Sequence, residues 1–334
     1  MRHFLFSSIF TVAGLYGAWW WGGMQGLMLA SLLAGMEISL SVDNAIVNAT
    51  IIKDMSQVWR QRFLTWGMII AVFGVRMLLP LLIVAIISGA SLLDVARMAI
   101  EHPDDYARHI GEAHVQIAAF GGMYLSLVFF SFLFEEEKTL HWLYWVERRL
   151  ASMGKLESFE VVLALACLIW LQSQLPDAER LAALLAGLGG IILFVLVRGL
   201  TGLFREAPGL ERSAHRAGAI AFLYLEVLDM SFSLDGVIGA FAMTRDVVLI
   251  TMGLAIGAMF VRSLTIYLVE KKMLEAYVFL EHGAHYAIGV LAILMLVDVV
   301  YPVSDLLTGL SGLTLILLSF WSSVKHKRAL ERAG

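Results

Sequence analysis

The chain has 334 residues, 60% of them hydrophobic and 16% charged, with a formal net charge of −4 and a mean hydropathy of +0.80. Soluble domains carry about 25% charged residues, so the composition excludes a soluble enzyme and a disordered chain, and the acidic balance argues against nucleic acid, which demands basic surface. The one cysteine, Cys167, excludes a disulfide framework and a cysteine-built zinc site.

What remains is an all-α, polytopic transmembrane helical bundle, and ten runs approach the ~20 apolar residues that cross a bilayer. The first, Phe4–Trp21, ends in three tryptophans suited to an interfacial anchor. Arg2 ahead of it also fits a signal peptide, but no small-residue cleavage site follows, so residues 1–25 are read as a retained span. Gly26–Thr50, Phe63–Ser88 and Val115–Phe134 make up a unit over 26–134. Residues 135–158 form a cytoplasmic interfacial segment. Its three opening glutamates suit a solvated span edge, and the aromatics and arginines of Leu140–Leu150 suit a helix on the membrane surface. Phe159–Gln174 and Leu181–Arg198 are short runs, a helical hairpin that with its loop links the halves over 159–217. Gly218–Thr244, Val247–Val269 and Ala284–Val300 form a second unit over 218–300, and Leu306–Val324 with a basic tail completes 301–334.

Charge asymmetry supports this count. With the N-terminus in the cytoplasm, eighteen of the 24 lysines and arginines fall on cytoplasmic segments, four (Arg97, Arg108, Arg180, Arg245) fall opposite, and Arg76 and Arg262 lie within spans. The positive-inside rule then places both termini in the cytoplasm, and the expected location is a bacterial inner membrane.

Two segments resemble each other. Glu37-Ile-Ser-Leu-Ser-Val-Asp43-Asn44-Ala45 and Asp229-Met-Ser-Phe-Ser-Leu-Asp235-Gly236-Val237 share acid-x-Ser-x-Ser-x-Asp. Further on, Gly67 to Arg76 repeats as Gly253 to Arg262, and Ala113-His114 repeats as Ala284-His285. Three matches in one order indicate a duplicated three-helix unit. The copies begin five spans apart, so they cross in opposite directions, an inverted repeat of the kind secondary transporters use around a midplane site.

The motif acids lie near mid-membrane, with Glu226 three residues before Asp229. Each carboxylate costs roughly 2.5–3.5 kcal/mol at a helix centre. Five facing lipid would cost on the order of 15 kcal/mol, beyond a domain's usual net stability. They are therefore expected inside the bundle, paired, protonated or bound to a cation. Glu37 and Ser41 share a helix face, as do Ser39 and Asp43, and Asp229 and Ser233. The six-residue acid-to-Asp spacing does not stack on a straight helix, so either two faces line one cavity or the helix breaks there.

Glu37, Asp43, Asn44, Glu226, Asp229 and Asp235 offer hard oxygen donors suited to Mg, Ca or Mn. Ser39, Ser41, Ser231 and Ser233 are further oxygens. Arg76 and Arg262 are expected to balance the site or gate it, and His114 and His285, at span entrances, are candidate proton relays. The alternative is a purely structural network of arginine, carboxylate and serine. No phosphate-cradling glycine loop appears, so no prosthetic group is expected, and many of the 29 glycines suit close helix packing.

At these motifs the chain resembles the TerC family of integral membrane proteins, whose two acidic motifs read Glu-x-x-Leu-Ser-x-Asp-Asn-Ala and Asp-x-x-Phe-x-x-Asp-Ser. The first matches residue by residue from Glu37 to Ala45; the second departs at Gly236, where the family has Ser. The resemblance covers both repeat units, and the extra spans suggest a longer subgroup. It implies tellurium resistance and manganese efflux, within a wider superfamily of exporters. The resulting expectation is a divalent cation transporter, a Mn2+ exporter in first place, with the lipid bilayer and the cation as its partners and no enzymatic activity. The competing expectations are a membrane scaffold without transport and an intramembrane hydrolase.

Overall fold

The computed structural model describes residues 2–67, 69–135, 138, 140–151, 158–205 and 210–333, with side chains at most but not all of these positions. Among the described residues the regular structure is all helical, and no strand forms. In chain order the helices are α1 (Arg2–Leu40), α2 (Val42–Ile52), α3 (Gln57–Arg62), α4 (Leu79–Ser88), α5 (Leu92–Glu101), α6 (Pro103–Glu112), α7 (His114–Leu133), α8 (Tyr144–Ala151), α9 (Phe159–Gln174), α10 (Asp177–Arg205), α11 (Leu210–Met243), α12 (Val247–Glu270), α13 (Met273–Ala276), α14 (Leu280–Asp298) and α15 (Asp305–Ala333). Between α3 and α4 the chain winds as wider π-helix over Phe63–Gly67 and Ile70–Leu78.

Among the described residues, seven helical stretches are long and apolar enough to cross a membrane: Phe4–Leu40, Gln57–Ile86, His114–Leu133, Asp177–Gly199, Val247–Glu270, Leu280–Asp298 and Leu307–Ala329. Large apolar side chains such as Val12, Ile86, Leu185 and Leu317 stand exposed on their outer faces. This is the pattern of an integral membrane protein, whose surround is lipid. α11 is long enough to join them but carries Glu226, Asp229 and Asp235, and α9, also apolar, is shorter.

α1 is a hairpin of two arms. At Gly22 and Gly23 the backbone leaves helical geometry, Gly23 at φ 60°, ψ −147°, a region open to glycine. A Cβ on Gly26 would strike the carbonyl of Ala18, although eight residues of straight helix would separate them by about 12 Å. Both arms pack on α12 in opposite senses. Gly14, Gly17 and Gly22 face Ile256, Met252 and Leu249, whereas Ala30 and Leu33 face Gly253, and Ala34 and Glu37 face Gly257. The glycines let these helices approach closely, the usual device where lipid is the alternative solvent.

The same reading fixes other directions. Along the chain from α3, Trp59, Phe63 and Gly67 meet Gly218, Phe222 and Glu226 of α11, so these strands of helix run parallel. Glu37 lies against Gly236, and Asn44 against Asp229, so the α1–α2 segment crosses α11 antiparallel. α7 and α14 also run antiparallel, Gly121 against Met295 and Phe132 against His285. The central apolar core is drawn from α2, α7, α9, α10, α11, α12, α14 and α15. α5 and α6, unforeseen by the span map, cover one end of the bundle, with Tyr106 packed on Phe241.

Candidate functional site

The first motif sits on an interrupted helix. α1 ends at Leu40, Ser41 (φ −112°, ψ 14°) makes the break, and α2 restarts at Val42. The second motif lies within the unbroken α11. Ser and Asp favour such interruptions because their side chains compete for backbone hydrogen bonds. Here the backbone N–H of Asn44 donates to Asp43 Oδ1 at 2.8 Å, and Asp43 lies in the first turn of α2, where a carboxylate suits the positive end of the helix.

Acids from both motifs converge on one guanidinium. Arg76 Nη2 donates to Glu37 Oε1 at 2.5 Å, and its Nη1 stands 3.6 Å from Asp229 Oδ2. Nη1 also donates to the Ala71 carbonyl at 2.7 Å. The Ser41 hydroxyl donates to Glu37 Oε1 at 3.2 Å, and Asn44 Nδ2 donates to Asp229 Oδ1 at 2.6 Å. Glu37, Asn44 and Arg76 are almost fully buried. Desolvated charges persist only when paired and hydrogen-bonded, and Glu37 with Arg76 meets that condition.

Beside this pair lies a cavity of about 20 Å³, room for about one water. Asn48, Arg76, Glu226, Asp229, Arg262 and Thr265 line it. Both Glu226 carboxylate oxygens, Asp229 Oδ2 and Asn48 Oδ1 have no hydrogen-bond partner, and neither do Arg76 Nε and Arg262 Nε. Glu226 is only 8% exposed, so its unpartnered oxygens are costly and call for a functional explanation. Arg262 donates to the Phe63 carbonyl and lies over the Phe63 ring at 4.3 Å.

The other predicted residues are placed elsewhere. Asp43 turns onto a separate cavity of about 10 Å³ with Ser39, Leu291, Thr308 and Gly312. The Ser231 hydroxyl donates back to the Val227 carbonyl, while the buried Ser233 hydroxyl is unpartnered. His114 pairs with Asp298 at 2.7 Å, and His285 stacks on Phe132 and bonds the Glu281 carbonyl. The side chain of Asp235 lies outside those described. Among the described residues, no three His, Cys, Asp or Glu side chains form a set that could hold a metal ion.

Sequence reading missed two features. Asn48 is one turn beyond Asn44, and its signal was an amide on the same helix face near the end of an apolar span. Glu147, in the segment read as a surface helix, is buried, accepting from the Leu143 N–H and the Tyr286 hydroxyl, with His141 and His282 within 3.6 Å. Nearby, burial pushes the Lys138 ammonium down to about 8, against the attraction of Glu147, Glu135 and Glu281.

The fold and this centre define an all-helical, polytopic membrane protein with a buried acid–guanidinium cluster where two opposed helices cross. The chain belongs to the family described as "Protein of unknown function (DUF475)", whose model matches residues 42–330. No curated protein and no solved structure matches it.

Proposed function

We propose that the chain is a divalent cation transporter, with Mn2+ the favoured cargo, moved out of the cytoplasm in exchange for protons. Glu37, Asp229 and Glu226 handle the ion, with Asn44 and Asn48 as amide partners and Asp43 on the access path. The observation that carries this reading is the meeting of both motif acids beside a cavity whose carboxylate oxygens are unpartnered. Hard oxygen donors favour Mn, Mg or Ca over softer metals.

The accompanying architecture is ten crossings with both termini cytoplasmic, in a bacterial inner membrane. Splitting α1 at Gly22–Gly23 and adding α9 and α11 to the apolar helices gives that number. The inverted repeat is supported by an exchange of equivalent positions. The acid of each motif faces the residue after the final Asp of the other, Glu37 on Gly236 and Asp229 on Asn44. Such a pair of opposed halves allows alternating access around a fixed site. A place beside the TerC family, on the motif resemblance, is part of the same proposal.

The competing reading is a structural network in a membrane scaffold, favoured by the direct Glu37–Arg76 pairing and the lack of a three-acid cluster among the described residues. Liposomes holding the purified chain separate the two. Transport predicts saturable Mn2+ flux, lost in Asp43→Asn, with Mg2+ and Ca2+ as comparison ions. Flux no greater than that of empty liposomes for all three ions would establish the scaffold reading instead.

A further inference from the structure

Arg76 sits buried at the meeting of the two motifs. It is 4% exposed, it springs from a nine-residue π-helical run, and it joins an acid from each motif. π-helical turns concentrate at functional sites, where they shift side chains relative to their helix. Its hold is lopsided: 2.5 Å to Glu37, 3.6 Å to Asp229, and none for Nε. Both arginines also donate to a backbone carbonyl, Arg76 to Ala71 and Arg262 to Phe63, but it is Arg76 that bridges the motif acids, while Arg262 lies over the Phe63 ring.

Charge arithmetic separates the two arginines. With Glu37, Asp229 and Glu226 all ionised, Arg76 and Arg262 together leave one net negative charge at the crossing. Withdrawal of Arg76 leaves two, which one dication neutralises. The oxygens of Glu226 and Asn48, acceptors that no hydrogen bond from Arg76 reaches, would then be free to join the shell of a bound cation.

We propose that Arg76 is a built-in surrogate cation: it closes the empty site by bridging Glu37 and Asp229, and a dication displaces it. The inference rests on the transport reading above. It makes guanidinium and cargo mutually exclusive occupants, so the binding constant for the cargo includes the free energy of breaking the Arg76 bridge.

The test is Mn2+ binding to the purified full-length chain in detergent, wild type against Arg76→Gln and Arg76→Lys. Loss of a buried charge partner can prevent folding, so Arg76→Lys, which keeps the charge but not the two-armed reach, stands as the second variant. The expected result is Mn2+ binding at least tenfold tighter in Arg76→Gln, with Arg76→Lys between it and wild type. Wild-type binding with unchanged or weaker affinity in the folded variants would overturn the surrogate role and leave the transport reading standing. Mn2+ binding in none of the three would remove both.

Discussion

The two motifs share a sequence pattern and differ in what their backbones do. Glu37 sits just before a helix break, its carboxylate held by Ser41 and Arg76, while Asp43 beyond the break turns to another cavity. Asp229 sits on a continuous helix and receives the Asn44 amide. The position after each motif's last Asp accounts for much of the contrast. Asn44 supplies a donor to the opposing acid, whereas Gly236 supplies space for it. Similar sequences thus place one acid 2.5 Å and the other 3.6 Å from the same guanidinium.

The largest predicted effect breaks the tight side. Glu37→Ala leaves Arg76 with the longer contact to Asp229 as its carboxylate partner, beside its bond to the Ala71 carbonyl, and should cost about 3–5 kcal/mol, read as a fall in the thermal unfolding midpoint of the purified chain. Asp229→Ala should cost less, because Arg76 keeps its 2.5 Å partner; an equal loss would show the two acids to be equivalent after all. Next comes Asn44→Ala, which strips the Asp229 carboxylate of its amide donor, for about 1.5–3 kcal/mol. Gly236→Ala probes the matching position. Its Cβ would lie 3.0 Å from Glu37 Oε2, and the crowding should cost about 1 kcal/mol. If Gly236→Ala proves the more damaging of these two, the contrast drawn between them is reversed.

The smallest effect lies outside the membrane core. Burial lowers the Lys138 pKa from 10.5 to about 8, so between these values the unfolded chain holds a proton the folded one has lost. Stability contributed by this group therefore rises with pH across that window. Lys138→Met should melt slightly above wild type at pH 7, and the difference should shrink as the pH approaches 10.5. Partial solvent exposure keeps the effect small.

The membrane class was legible in composition, and the burial of Glu37, Asp43 and Glu226 followed from the cost of a carboxylate in lipid. The turn at Gly22–Gly23 matched a gap between apolar runs, and α9 kept the expected bounds, Phe159–Gln174. Other features turn on long-range contacts that periodicity does not carry. A π-helical run has no residue signature, so the reach of Arg76 to Glu37 and Asp229 could be anticipated only as a pairing of some kind. Asn48 and Glu147 looked like ordinary polar residues until the packing of α11 and α14 buried them. His114 and His285 matched in sequence, yet one found a carboxylate and the other a phenylalanine ring.

The central claim is that both motifs serve one cation site. Mn2+ flux into liposomes tests it most directly, with wild type, Glu37→Gln and Asp229→Asn each reconstituted to the same density. One shared site predicts saturable wild-type flux that falls to the empty-liposome level in either single variant. Flux retained at or near the wild-type rate in both variants would contradict it.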